Sequence, residues 1–120
     1  MLCAAYNHDK DVFETVSKLG AGFTDQQLSN LPSKLKKYNQ EEKPARLRAK
    51  DDLEPDFWFS PGLVLEVKAS EITRSPVHTC GKKKGKGLAL RFPRFEKWRP
   101  DKKADQATTT KEIEQMHDQQ

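Results

Sequence analysis

The sequence predicts a mainly β domain: a five-stranded barrel with one helix between the early and the later strands and a short C-terminal helix. Three observations lead to this prediction. Short apolar segments recur at strand length, turn residues separate them, and only two segments begin with the residue pattern of a helix N-terminus. The length suits a single domain, residues 1–120, with a small core, because only 34% of the residues are hydrophobic.

Two apolar runs near the N-terminus predict a β-hairpin. Leu2 to Tyr6 forms the first run, Asn7 to Lys10 is rich in turn residues, and Val12 to Leu19 forms the second run. Gly20 and Gly22 follow and are expected to end the second strand.

The first predicted helix begins at Thr24, a favourable N-cap residue that has Gln27 three positions later, as in a capping box. Phe23 and Leu28 hold the positions of a hydrophobic staple. Pro32 lacks the amide hydrogen that the helix needs, so we expect it to kink the helix or split it into two pieces. The apolar face of this helix comprises Leu28, Leu31 and Leu35.

Alternation and proline mark the later strands. Residues 39–56 are polar and predict a loop, within which Ala45 to Ala49 could pair as a short strand. Gly62 to Ala69 is the clearest strand, since apolar residues occupy every second position. Another strand, Gly87 to Phe92, is stopped by Pro93, which cannot donate to a sheet ladder.

A second capping box, Thr109 with Glu112, predicts the C-terminal helix, whose apolar face is Ile113 and Met116. Among small barrels, five strands and a helix at this length best fit the oligonucleotide-binding barrel, the OB-fold.

The basic residues are concentrated in one segment. Between Lys82 and Lys103 they are opposed only by Glu96 and Asp101, although the whole chain has a net charge of only +4. Such clustering, with aromatic residues interleaved, indicates a site for a polyanion, although a solvated charged face would have the same composition. The candidate nucleic-acid contacts are Lys82, Lys83, Lys84, Lys86, Arg91, Phe92, Arg94 and Lys97.

The sequence lacks the residue patterns of a disulfide framework, a metal site and a membrane-spanning segment. Cys3 and Cys80 are isolated and the three histidines are scattered, so neither a disulfide framework nor a metal site is indicated. No apolar run approaches membrane-spanning length. We therefore expect an intracellular protein with reduced thiols that does not bind a membrane. Its location would be the cytoplasm of a prokaryote or the nucleus of a eukaryote.

The chain also lacks the nucleophile of covalent nucleotidyl transfer. That chemistry usually employs a lysine in a Lys-x-Asp-Gly motif, where neighbouring groups lower the pKa of the amine. Neither this tetrapeptide nor a phosphate-binding Gly-x-x-x-x-Gly-Lys loop occurs in the sequence. We therefore expect this domain to catalyse nothing alone.

An ordered series of short motifs resembles the C-terminal OB-fold domain of ATP-dependent DNA ligases, in particular the archaeal and eukaryotic replicative type. The resemblance extends over essentially the whole chain. Its parts, in the order of the family, are Lys18-Leu-Gly-Ala-Gly-Phe23, Glu54-Pro-Asp-Phe-Trp-Phe59, Leu63-Val-Leu-Glu-Val-Lys68, Ser75-Pro76, Gly87-Leu-Ala-Leu-Arg-Phe-Pro-Arg-Phe95, Arg99-Pro-Asp-Lys102 and Asp105-Gln-Ala-Thr-Thr109.

The resemblance implies that Arg99, Asp101 and Lys102 are the catalytic candidates, because they match the family's last nucleotidyltransferase motif. In the family, this motif closes over ATP during adenylation and orients the pyrophosphate leaving group. Arg99 and Lys102 would neutralise phosphate charge, and Asp101 would hold the cations in place. The resemblance also implies ATP and Mg²⁺ in the full-length enzyme, none bound by this domain alone, and an adenylation domain that would precede Met1 in the same polypeptide.

A second orientation is implied as well, in which the domain of a monomeric enzyme binds the minor groove of nicked double-stranded DNA. Arg91 and Phe92 match an arginine and a phenylalanine beside the nick. Alternation from Leu88 and Leu90 argues instead that Phe92 is a core residue, but Pro93 could end the alternation, so we expect the groove role. Core or interdomain packing is expected for Phe57 and Trp58, and core packing for Phe95.

The residues also leave other functions open. A free-standing OB module could bind single strands by aromatic stacking and a basic groove, but this would not explain the Arg-x-Asp-Lys motif. RNA ligases and capping enzymes also carry Arg-x-Asp-Lys, whereas the run Arg91-Phe-Pro-Arg-Phe95 favours a DNA ligase. A structural barrel with a charged surface is the remaining alternative.

Overall fold

The computed structural model describes all residues, 1–120, and contains nine strands and two α-helices. The elements are β1 (Leu2–Asn7), β2 (Val12–Lys18), α1 (Asp25–Leu35), β3 (Asn39–Gln40), β4 (Leu47–Arg48), β5 (Trp58–Phe59), β6 (Leu65–Lys68), β7 (Glu71–Ser75), β8 (Gly87–Arg91), β9 (Arg94–Trp98) and α2 (Thr110–Asp118). Single 3₁₀ turns lie at Lys36–Tyr38 and Ala104–Gln106. Neither helix has the length and apolar character needed to span a membrane.

The strands form four separate hydrogen-bonded sheets, in the orders β1–β2–β4, β3–β5, β6–β9 and β7–β8. The mainly β character, the N-terminal hairpin and the two helices are thus confirmed. The sheets do not close into the five-stranded barrel that we expected. One reason is that β2 and β8 do not pair directly, because the chain at Cys80 lies between them. Cys80 N–H donates to Thr15 O of β2, and Leu88 N–H of β8 donates to Cys80 O.

The core is a small cluster between the β1–β2 hairpin, the β7–β8 hairpin and α2. It consists of Ala5, Val16, Ile72, Cys80, Leu88 and Ile113. Its size agrees with the low hydrophobic content of the sequence, and it anchors the β7–β8 hairpin, which carries the four lysines before β8 and Arg91. Of the predicted apolar face of α2, Ile113 is 5% exposed, but Met116 is 46% exposed, so that part of the prediction is wrong.

Helix α1 begins with the predicted capping box, since Thr24 Oγ1 accepts from Gln27 N–H and Gln27 Oε1 accepts from Thr24 N–H. Pro32 does not split it: the helix continues to Leu35. No residue of α1 is buried, so water can satisfy the carbonyl that the proline leaves free. Leu28 is 48% exposed, whereas Leu31 and Leu35 are half-buried, so the predicted apolar face is only partly covered within this chain.

Two further boundaries differ from the prediction. The strand expected over residues 62–69 is shorter and covers only β6; just before it, Val64 O accepts a hydrogen bond from Arg99 N–H, which lies beyond the end of β9. The strand expected over 87–92 ends at Arg91. The short strand expected within 45–49 is present as β4, which pairs in parallel with β2.

Candidate functional site

The Arg99-Pro-Asp-Lys102 motif forms a closed turn directly after β9. Arg99 N–H donates to Val64 O at 2.8 Å, which ties the start of the turn to the chain before β6. Lys102 N–H donates back to Arg99 O at 3.2 Å, and Pro100 occupies the second position, which favours this type of turn. The three candidate catalytic residues are therefore brought together by local backbone geometry.

Within this turn, Arg99 and Asp101 form a two-pronged ion pair. Arg99 Nε donates to Asp101 Oδ1 at 3.0 Å and Nη2 donates to Oδ2 at 2.9 Å. The hydrogen bond to Arg99 lowers the pKa of the Asp101 carboxyl to about 2, and the same bond is the first cause that raises the pKa of Arg99. The guanidinium is thereby oriented, and it stays charged at neutral pH. Lys102 belongs to the same turn, but its ammonium group forms no ion pair.

A fourth residue of this site, Glu66, was not predicted from the sequence. Its Oε1 accepts from Arg99 Nη1 at 3.3 Å. In the antiparallel pair β6–β9, Glu66 lies directly opposite Lys97, so Arg99 is its diagonal neighbour. The alternation of β6 does place Glu66 on a polar face, but the register between two strands 30 residues apart cannot be deduced from either strand alone.

Phe92 lies in the connection between β8 and β9 and is 75% exposed. The core position that strand alternation predicted for it is therefore wrong, and the exposed ring agrees with our preferred expectation. The physical reason is the backbone: Phe92 has φ of +53°, so the chain turns out of β8 at this residue before Pro93 leads into a different sheet.

The cations around Phe92 differ in how they are held. Arg91 Nε donates to Thr73 Oγ1 at 2.5 Å, across the β7–β8 hairpin. Arg94 and Lys97 lie on β9 with exposed side chains, opposite Lys68 and Glu66 respectively. Phe95 between them is buried, as expected, and its ring stacks on that of Phe23 with centroids 4.3 Å apart.

Phe57 and Trp58, for which core or interdomain packing was expected, differ in how far they are exposed. Phe57 is 65% exposed and is not part of the core. Trp58 lies in β5 and is half-buried. The prediction that Phe57 packs in the core of this chain is therefore wrong, and its expected interdomain contact stays a prediction.

The four lysines before β8 lie on a tight, exposed hairpin turn. Lys83 and Lys86 exchange two backbone hydrogen bonds of 2.8 and 3.0 Å, while Lys84 and Gly85 both have positive φ, as a two-residue hairpin requires. None of the lysines at positions 82, 83, 84 and 86 forms an ion pair. The turn thus presents four uncompensated charges to solvent.

The base of this lysine turn is fixed by buried polar groups. Gly81 N–H donates to Glu14 Oε1 at 3.2 Å, and Arg74 Nη1 donates to Gly81 O at 2.7 Å. Glu14 is itself buried and accepts from Thr110 Oγ1 at 2.8 Å. The turn is therefore held by β2, β7 and α2 together.

The predicted residues do not form one site. Phe92 precedes β9 and the Arg99 turn follows it, so a five-residue strand of about 17 Å separates the two groups. The lysine turn lies at the opposite end of β8 from Phe92. Three separate surfaces thus carry the candidate residues.

The remaining reactive side chains offer little chemistry. Burial raises the pKa of the Cys80 thiol to about 12 and that of Cys3 to about 11, so neither is a thiolate nucleophile near neutral pH. No group of three or more His, Cys, Asp or Glu side chains comes together.

Comparison with known proteins agrees with the motif order. A sequence model described as the ATP dependent DNA ligase C terminal region matches residues 1–102. A DNA ligase of Sulfophobococcus zilligii is 49% identical over 123 residues, one of Thermoplasma volcanium is 49% identical over 124, and one of Hyperthermus butylicus is 47% identical over 123. Each match includes 100% of this chain but only 20%, 21% and 20% of the respective relative. The chain therefore spans about a fifth of the length of these relatives. Because the match extends over most of its length, the chain belongs to the family of ATP-dependent DNA ligase C-terminal regions.

Proposed function

We propose that this chain acts twice in an ATP-dependent DNA ligase, first against the nucleotide during enzyme adenylation and then against nicked DNA during sealing. The observation that carries the proposal is the Arg99 turn, in which a guanidinium is oriented by Asp101 while 28% of its side chain stays open to solvent. Its distance from Phe92 along β9 supports two separate contacts by one rigid unit.

In the first contact, Arg99 and Lys102 bind and orient the pyrophosphate leaving group. A forked guanidinium matches two phosphate oxygens, and the ammonium group of Lys102, the residue directly after Asp101, adds a second positive charge where negative charge accumulates. Asp101 binds no phosphate; it fixes the direction of Arg99. Magnesium would serve the complete enzyme, but this chain offers no group of carboxylates to hold it, so its own contribution is the two cations.

In the second contact, Phe92 enters the DNA minor groove beside the nick and packs against sugars, with Arg91 and Arg94 at the adjacent phosphates. The exposure of the ring supports this role, since no neighbour in the chain covers it. The lysine turn and Lys97 add phosphate contacts that carry no sequence information and that weaken as salt concentration rises. The four short sheets would then form an open variant of the OB barrel.

The test is Arg99→Ala in the complete ligase, with Arg94→Ala as a control that removes the same charge from the other end of β9. Loss of one oriented charge contact typically costs on the order of 3 kcal/mol, so transfer of labelled AMP to the protein should slow about a hundredfold in Arg99→Ala. Arg94→Ala should retain this step. Sealing of DNA whose 5′ end already carries AMP requires no pyrophosphate to be oriented, so Arg99→Ala should affect it far less.

Equal losses of Arg99→Ala in both assays would contradict the proposal and would indicate misfolding or general DNA binding. Equal losses of Arg99→Ala and Arg94→Ala in AMP transfer would indicate that only the overall positive charge matters.

A further inference from the structure

We propose, on the basis of the adenylation role assigned to Arg99 above, that Glu66 is a displaceable partner of Arg99 that lowers the affinity of the enzyme for polyphosphate. The observation is the 3.3 Å contact between Glu66 Oε1 and Arg99 Nη1, on a guanidinium whose other edge is already bound by Asp101. Glu66 thus occupies a donor that would otherwise be free for a phosphate oxygen.

The two carboxylates on Arg99 are not equivalent. Asp101 makes two hydrogen bonds of 2.9 and 3.0 Å and lies within the same closed turn. Glu66 makes one bond of 3.3 Å from another strand, and its side chain is 45% exposed. The single longer bond costs less to break, so an incoming phosphate displaces Glu66 and leaves the Asp101 contact in place.

Glu66 has a second partner within reach. Lys97 is the residue directly opposite it in the β6–β9 register, and its ammonium group forms no ion pair. A side-chain rotation can therefore move the Glu66 carboxylate from Arg99 towards Lys97 without a change in the backbone.

This exchange changes the local charge. Arg99 with its two carboxylates carries a net negative charge that Lys102 only offsets, so the turn as a whole is neutral towards a polyphosphate. When Glu66 moves to Lys97, Arg99, Asp101 and Lys102 together carry one positive charge, which attracts the polyphosphate. Return of Glu66 to Arg99 after the reaction would then assist release of pyrophosphate.

The test is Glu66→Gln in the complete ligase, with Glu96→Gln as a matched control. Glu96 is an exposed carboxylate on β9 that forms no ion pair, so both variants change the net charge equally. In the AMP-transfer assay, Glu66→Gln should lower both the KM for ATP and the half-inhibitory concentration of inorganic pyrophosphate. The expected change is only about threefold, because an exposed ion pair contributes little free energy. The maximal rate should not rise, and Glu96→Gln should change neither concentration.

A Glu66→Gln variant that behaves like Glu96→Gln, or that raises the KM for ATP, would overturn the proposal. The decrease in the KM for ATP should also disappear when Glu66→Gln is combined with Arg99→Ala. If Arg99→Ala alone leaves AMP transfer unchanged, the adenylation role itself is wrong; if Arg99→Ala slows transfer while Glu66→Gln equals its control, only the role of Glu66 is wrong. Melting curves of each variant establish that it is folded, and Glu66→Ala provides a second variant with the same expected decrease.

Discussion

The two ends of β9 present their candidate residues in opposite ways. At the C-terminal end, Arg99 is bound by two carboxylates and a closed backbone turn. At the N-terminal end, Phe92 is 75% exposed on a backbone with φ of +53°. A charge that must meet phosphate oxygens at hydrogen-bond distance benefits from partners that fix its direction, whereas a ring that fills a groove needs to project beyond its neighbours.

The costs at the two ends differ accordingly. Ordering the Arg99 side chain before the ligand arrives reduces the conformational entropy lost on binding. Holding a phenylalanine in the left-handed region costs on the order of 1 kcal/mol of folding stability, a cost that glycine would avoid. The fold therefore stabilises one site and strains the other.

The largest effect in this comparison is expected for Asp101→Ala. Without its partner, the Arg99 side chain gains rotational freedom and points less often at the leaving group, so AMP transfer should slow about tenfold or more. Glu96→Ala, which removes another exposed carboxylate, is the control. Rapid-quench measurement of labelled AMP transfer decides the matter, and an unchanged rate would show that Arg99 needs no positioning.

A smaller effect is expected for Phe92→Ala. Covering an exposed phenylalanine on DNA contributes about half of its full burial free energy, or about 1 kcal/mol, so affinity for nicked duplex should fall about fivefold. AMP transfer should be unchanged. Phe57→Ala removes another exposed ring, 65% against 75% for Phe92, from the segment before β5 and serves as the control. If both variants bind nicked duplex equally well, the groove contact of Phe92 is wrong.

The smallest effect is expected from pH, which compares Asp101, just after β9, with His78, a buried residue in the connection between β7 and β8. Burial, assisted by the charges of Lys18 and Arg91, lowers the pKa of His78 from 6.5 to about 4. Because the folded pKa lies below the unfolded one, the stability that neutral His78 contributes is complete above pH 6.5 and is lost as the pH falls towards 4. The Asp101 contribution is complete above 3.8 and is lost only as the pH falls towards 2.

Thermal unfolding between pH 7 and pH 5 should therefore show declining stability in the native chain and a weaker decline in His78→Asn. Asp101→Ala should shift the melting temperature equally at both pH values. An identical decline in His78→Asn would assign the acid sensitivity to another group.

Much of the local structure could be predicted from the sequence. Both capping boxes and the clustering of Arg99 with Asp101 depend on residues two or three positions apart. The first hairpin joins consecutive strands, with pairs that run from Asn7 and Val12 at the turn to Leu2 and Lys18 at the far end. Pro32 shows the limit of such local rules, because the exposure of α1 decided that the helix continues through it.

The sequence by itself therefore determined the motif that identifies the family, the direction of Arg99 within its turn and the concentration of positive charge. Only the tertiary structure decided that Glu66 binds Arg99 across 33 residues of chain, that Phe92 is exposed and that the sheets remain open. The physical reason is that strand register and sheet closure result from many long-range contacts summed over the fold, and a shift of one residue in register reverses which side chains meet.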